Sequence, residues 1–502
     1  MAALDNKVQA LVADVGNTSL GLAQIQDLRE AVKAFRSPGK KAYLYSSGMG
    51  SFGGGTDDYY LASAFDEIWM QPNTEIGITG LNIEVPFLKG LLDKVGITAE
   101  FYARHEYKNA AASFLNSAFT PQYREETERL GQSLYDRIVA DVCADRKLDE
   151  NIFRRLVNRA PLSADEGLKE GLIDKTAFKP DLLEKVLDET KGEMIDVYDY
   201  AYSLEESGKK LPTIAFLVVD GTISGGKSLS NPLQGESIVG SETLIQQLDE
   251  IANNKYVKAL LLRINSPGGS YTASAEIWNT LSRLKEKRKL PIVVSMGDYA
   301  ASGGYFIALP GDKILAEAST VTGSIGVLGG KMVLAGLWDK LEINWGEVKF
   351  GDNAGILSAN HKFSEREKEV FNRSLDNVYR DFTAKVAAAR NISPEKMDKL
   401  ARGRVWTGIQ AVENGLADEI GGIDRAIAYA KQLGGIPPKS RFGIAYYPKA
   451  KTLQEKIAEL VGGGPKISVN KVINQMGLDI ESVNMLKRLQ YETVLPPFKL
   501  DL

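Results

Sequence analysis

The chain repeats itself. Tyr59, Ala62, Asp66, Ile68, Thr74, Gly77 and Gly80 recur as Tyr305, Ala308, Asp312, Ile314, Thr320, Gly323 and Gly326, at a constant offset of 246 residues. Upstream, Val8-Gln-Ala-Leu recurs as Val257-Lys-Ala-Leu, and Gly48 as Gly297, at an offset of 249. Downstream, Glu170-Gly-Leu-Ile-Asp recurs as Asn414-Gly-Leu-Ala-Asp at 244. Two diverged copies of one unit must fold alike, which confines the chain to a tandem architecture.

The second copy gives the fold class. Short β-branched or leucine-rich runs at 214–219, 259–264, 292–294 and 313–316 read as strands. Between them, residues 241–253 and the stretch bearing Ile277, Trp278, Leu281 and Leu284 read as helices. Strands alternating with helices predict an α/β fold with mainly parallel sheets. Ligands gather in the loops after such strands. Gly268-Gly269 and Gly303-Gly304 both fall there.

The first copy reads as strands at 8–12 and 42–45 around a helix over 20–35. It has no counterpart of residues 211–255, so the sequence predicts a first repeat truncated at its N-terminus. The division expected is a first repeat over 1–190, a polar linker over 191–210, a second repeat over 211–435 and a tail over 436–502. The tail, with Gly462, Gly464 and Pro465, reads as loop with short helices.

Composition excludes several classes. A net charge of −4 argues against a nucleic-acid surface. One cysteine, Cys143, excludes an intrachain disulfide. Two histidines, His105 and His361, argue against a His-rich metal site, and no cofactor or metal is expected. No run of about 18 apolar residues predicts a membrane span, and no signal peptide opens the chain. Gly48, Gly50 and Gly53 match the G-x-G-x-x-G dinucleotide fingerprint, but a lone match in a glycine-rich loop is a weak signal. The repeat explains that loop better, as the first copy's version of the turn at Ser302, with Thr56 in the serine's place.

Ser302 follows the 292–294 run and precedes the apolar pattern Tyr305, Phe306, Ile307, Leu309. A serine at such a strand-to-helix turn has an exposed Oγ, beside amides that lack a partner within the helix. The plain alternative is a serine capping the helix, with glycines for packing. A nucleophile needs a base, and neither histidine has an acidic partner nearby in sequence. A buried lysine is the other solution. It must fall roughly three units from its usual pKa of about 10.4, at about 4 kcal/mol of desolvation and like-charge cost. Lys108 stands among small and apolar neighbours, in Tyr107-Lys108-Asn-Ala110-Ala111-Ala112. Its plain alternative is a surface lysine with a buried stem. The second copy has Asp352 to Ala354 there, with no lysine. Serine in one copy and lysine in the other fit one composite site.

Tyr-Ala-Ala-Ser302-Gly-Gly-Tyr, Asn-Ser-Pro-Gly-Gly-Ser, Thr-Gly-Ser324-Ile-Gly-Val, Val405-Trp-Thr-Gly and Glu-Tyr-Lys108-Asn resemble the signal peptide peptidase A (protease IV) family in its long, tandem-repeat form. The resemblance covers roughly residues 5–435. It implies ClpP/crotonase-like repeats and hydrolysis of cleaved signal peptides by a Ser/Lys dyad, on the periplasmic face of the bacterial inner membrane. By motif, Ser302 is the nucleophile, Lys108 the general base and Ser324 the group that orients the amine. The N–H groups of Gly269 and Gly303 form the oxyanion hole. It also implies a homotetramer near a membrane anchor, and no anchor is legible in this sequence. His105 is outside the pattern and reads as surface. Two alternatives stand beside the peptidase: a crotonase-type enzyme acting on acyl-CoA thioesters, and a non-catalytic assembly module whose site has decayed.

Overall fold

The computed structural model describes residues 2–50, 54–204, 211–231 and 236–448. Two sheets carry the duplication. The first has four parallel strands in the order Ala10–Asp14, Lys41–Ser46, Glu67–Met70 and Lys175–Thr176. The second runs Val405–Thr407, Val321–Gly323, Ile292–Ala301, Val257–Ser266, Thr213–Asp220 and Gly443–Tyr447. Lys313–Ala316 and Glu419–Ile420 extend it beside the first half of Ile292–Ala301. Its pairings are parallel, except that Val405–Thr407 runs antiparallel to Val321–Gly323. The central strands are buried on both faces, which is why Leu260-Leu-Leu262 and Ile292-Val-Val294 show no alternation.

The matched residues do matched work. The buried Tyr59 hydroxyl donates to Leu172 O and the buried Tyr305 hydroxyl to Leu416 O, both at 2.8 Å. Asp174 accepts from Ile68 N and Arg146, and Asp418 from Ile314 N and Arg390. A buried hydroxyl needs such a partner, and each aspartate, though exposed, ties a strand N–H to an arginine in both copies, so these positions resist drift when the rest diverges.

Three sequence expectations are corrected. The strand read at 292–294 is longer than its apolar run and continues through Gly297 to Ala301. Its neighbour bulges between Ile264 and Ser266, and Asn265 packs on Gly297 while its Oδ1 accepts from Tyr299 N at 3.1 Å. The first strand begins at Ala10 rather than Val8. Residues 443–447, assigned to the tail, form a strand of the second sheet beside Thr213–Asp220. Gly53 and the stretch at 462–465 lie outside the described residues.

One join between the repeats positions the site. Thr98–Ala103 of the first repeat pairs antiparallel with Leu328–Val333 of the second. Arg104 then reaches the Asn372 carbonyl and the Asp376 carboxylate of the helix Glu365–Arg390. A second contact lies behind the sheet, where Arg263 pairs with Asp27 at 2.5 Å and Asp298 accepts from Ala23 N at 2.8 Å.

Candidate active site

Ser302 links the strand Ile292–Ala301 to the short helix Gly303–Ala308, with φ 53° and ψ −118°. Few residues with a side chain adopt a positive φ, and those that do are held by their surroundings. Ser302 N donates to Gly323 O and Ser302 O accepts from Phe306 N, each at 2.9 Å. Its hydroxyl makes no capping hydrogen bond, so the plain reading of Ser302 as a helix cap does not describe it.

The Gly268-Gly269 turn presses against this elbow. A Cβ on Gly268 would lie 2.7 Å from Gly303 N and 2.8 Å from the Ser302 Cβ, and one on Gly269 2.0 Å from Ile223 O. Only glycine fits there, at φ 107° and 149°. The close approach sets the Gly269 and Gly303 amides side by side. Neither N–H has an acceptor among the described residues.

Lys108 comes from the first repeat. The strand Thr98–Ala103 brings the chain across, Arg104 N donates to Val327 O, and Tyr107 N donates to Arg402 O. The Lys108 Nζ then lies 3.0 Å from Ser302 Oγ, 2.9 Å from Ser324 Oγ and 2.9 Å from Ser324 O. The residue as a whole is half-buried, but its amine end is enclosed. Burial pushes the amine's pKa down to about 8, against the charge of Glu126, which holds it up. A neutral amine has two N–H groups and one lone pair. Donating both to Ser324 leaves the lone pair for the Ser302 hydroxyl.

Ser324, at φ 49°, is fixed by its own N–H, which donates to Arg404 O at 2.8 Å. The site opens into a cavity of about 440 Å³, whose apolar walls include Tyr271, Phe306, Val327, Leu328, Val378 and Phe382. The structure thus brings Ser302, Lys108, Ser324, Gly269 and Gly303 together. His105 is exposed, its ring against Tyr379 at 4.8 Å.

Sequence reasoning missed Gly403 and Gly326. A Cβ on Gly403 would lie 2.5 Å from Lys108 N, and one on Gly326 3.4 Å from Lys108 Cδ. Gly326 recurs as Gly80, which hides its separate role, and Gly403 stands in an ordinary Arg-Gly-Arg stretch.

Comparison with known proteins gives concordant matches. The model of peptidase family S49 matches residues 34–192 and 284–436. The Clp protease model matches residues 236–321, within the second repeat. The chain is 30% identical to the chloroplastic serine protease SPPA of Arabidopsis thaliana, over 92% of this chain and 68% of that one. It is 29% identical to Protease 4 of Salmonella typhi, over 94% of this chain and 76% of that one. It is 37% identical to a putative signal peptide peptidase SppA of Enterococcus faecium, over 45% of this chain and 65% of that one.

Proposed function

We propose, from the premise that the chain belongs to peptidase family S49 and is a serine peptidase, that it cleaves peptides with a Ser302/Lys108 dyad through an acyl-enzyme. The observation that carries this is the Lys108 amine, 3.0 Å from Ser302 Oγ and desolvated enough to be partly neutral near pH 8. Ser302 Oγ attacks the scissile carbonyl as Lys108 takes its proton. The carbonyl oxygen, now negative, accepts from the Gly269 and Gly303 N–H groups. A donor of that kind is worth about 3 kcal/mol in the transition state. The Lys108 ammonium returns its proton to the leaving amine. Water then attacks the ester, again giving its proton to Lys108, and frees Ser302.

The substrates proposed are cleaved signal peptides and other extended apolar peptides. The apolar cavity beside Ser302 favours such side chains, and one relative is named as a putative signal peptide peptidase. The periplasmic face of a bacterial inner membrane is the corresponding address. Among the described residues no helix is long and apolar enough to cross a membrane.

Assembly into a homotetramer completes the proposal, and the repeat supports a head-to-tail arrangement. The counterparts of the joining strands Leu328–Val333 and Thr98–Ala103 are residues 82–87 and 344–349, and neither pairs as a strand with any of the described residues. Trp345, Val348 and Phe350 in or beside that second stretch are 60%, 83% and 91% exposed. A second copy could receive this stretch as the second repeat receives Thr98–Ala103, a heterologous contact that closes into a ring.

The test is acylation of Ser302 by a fluorophosphonate probe across pH. A lysine base gives a rising limb near pH 8, above the histidine range. Ser302→Ala and Lys108→Ala should each abolish peptide hydrolysis with the thermal midpoint close to parental. Full activity in either variant overturns the dyad.

A further inference from the structure

Glu126 lies in the helix Pro121–Arg146 of the first repeat, 4% exposed. Its two carboxylate oxygens face different repeats. Oε2 accepts from Asn109 Nδ2 at 2.9 Å, on the residue after Lys108. Oε1 accepts from Val405 N at 2.8 Å, in the second repeat. Val405 pairs with Gly323, whose carbonyl holds Ser302 N, and the adjacent Arg404 O holds Ser324 N. One buried group thus spans the loop bearing the amine and the strand that fixes both serines.

The duplication shows that this is no general feature of the fold. At the matched positions Lys108 becomes Ala354, Asn109 becomes Gly355 and Glu126 becomes Val370. Val405 becomes Pro161, which has no N–H to donate. All three parts of the bracket are missing from the set of residues that also lacks the lysine.

We propose that Glu126 is a positioning residue of the dyad, bracketing the Lys108 loop to the Val405 strand so that the amine meets Ser302. The inference rests on the Ser/Lys reading above. It has a second consequence through charge. An ionised Glu126 favours the ammonium form of Lys108, so it sets where the activity limb falls. Burial pushes the Glu126 carboxyl above the usual glutamate range, while the hydrogen bonds from Val405 N and Asn109 and the charges of Arg404 and Arg129 favour its ionised form. Tyr123 lies near on the same helix. Arg404 also pairs with Glu125 at 2.8 Å, which divides its charge between the two carboxylates.

The experiment follows fluorophosphonate acylation of Ser302 against pH in the full chain, for the parent, Glu126→Gln and Glu126→Asp. Glu126→Gln should move the limb acid-ward by about one pH unit, as loss of a nearby opposite charge does, and lower the plateau several-fold. Glu126→Asp keeps the charge but not the reach, so its limb should stay at the parental pH while its plateau falls. A purely structural role would lower plateaus without moving any limb. A Glu126→Gln limb at the parental pH overturns the inference and leaves the dyad standing. So does an undiminished plateau in Glu126→Asp, a variant that decides the matter even if Glu126→Gln fails to fold. A parent without a limb near pH 8 overturns the dyad itself, and this inference with it.

Discussion

Thr56 and Ser302 hold the same place in the two repeats, but their hydroxyls face opposite fates. The Thr56 Oγ1 donates to Gly80 O and accepts from Gly80 N, both at 3.0 Å, and is buried. The Ser302 Oγ faces the Lys108 amine beside an open cavity. In the first repeat the position matching Ser302 is therefore a staple. Thr56→Ala should cost about 1–3 kcal/mol of stability, because it strands a buried N–H and C=O. Denaturant unfolding measures that loss. The rate per folded molecule should stay parental, and Thr56→Ser should recover most of the stability.

Ser324 supplies both acceptors for the N–H groups of the neutral Lys108 amine, one from its side chain and one from its backbone. Ser324→Ala removes only the first. The amine keeps the carbonyl and Ser302, so activity should fall but survive. A loss of about 10-fold in kcat/KM corresponds to about 1.4 kcal/mol, one hydrogen bond's worth. The fall should lie mainly in kcat, which steady-state kinetics with a fixed peptide would separate from KM.

Gly403 packs its α-carbon on the backbone of Lys108 at φ 85°. Alanine there brings its Cβ to 2.6 Å from the Lys108 Cα, and the lysine backbone must shift. A displacement of about 1 Å at a reacting group costs roughly 100-fold. Gly403→Ala should therefore lower kcat/KM by about that factor, while positive-φ strain takes only about 1–3 kcal/mol from stability. Paired rate and unfolding measurements on one preparation check both. A variant destabilised but fully active would contradict this packing role.

The meeting of Lys108 with Ser302 was legible in the sequence because duplication supplied its own control. Lys108 stands out only beside Ala354, and Ser302 only beside Thr56. The parallel sheets were legible for the same reason, through apolar runs seen twice. What escaped was long-range. Gly297 looks like a strand breaker, yet Asn265 from the neighbouring strand fills the space beside it and keeps the strand going. Residues 443–447 follow proline and loop-like sequence, and only the open edge of Thr213–Asp220 makes them a strand. Glu126 sits in a charged run, Arg124-Glu-Glu126, where nothing local marks one carboxylate as buried.

Behind the second sheet, Glu317 tests the join between the repeats. It is 2% exposed, and its Oε1 has no hydrogen-bond partner among the described residues. Burial first, then the charges of Asp27 and Glu30 from the opposite repeat, push its carboxyl far above the usual glutamate range, while Arg263 works the other way. The folded protein therefore keeps a proton on Glu317 at neutral pH that the unfolded chain has released. Below the ordinary glutamate range both states hold that proton and the group has no pH effect. Above it, stability should fall as pH rises, approaching about 1.4 kcal/mol per pH unit for one proton, until the folded state also ionises. Glu317→Gln carries no such proton. Its unfolding midpoint in urea should change less between pH 6 and pH 9 than the parent's, and at the alkaline end it should be the more stable protein. Parallel pH profiles for the two proteins would instead mean that Glu317 is ionised in the fold and that Arg263 outweighs the two facing carboxylates.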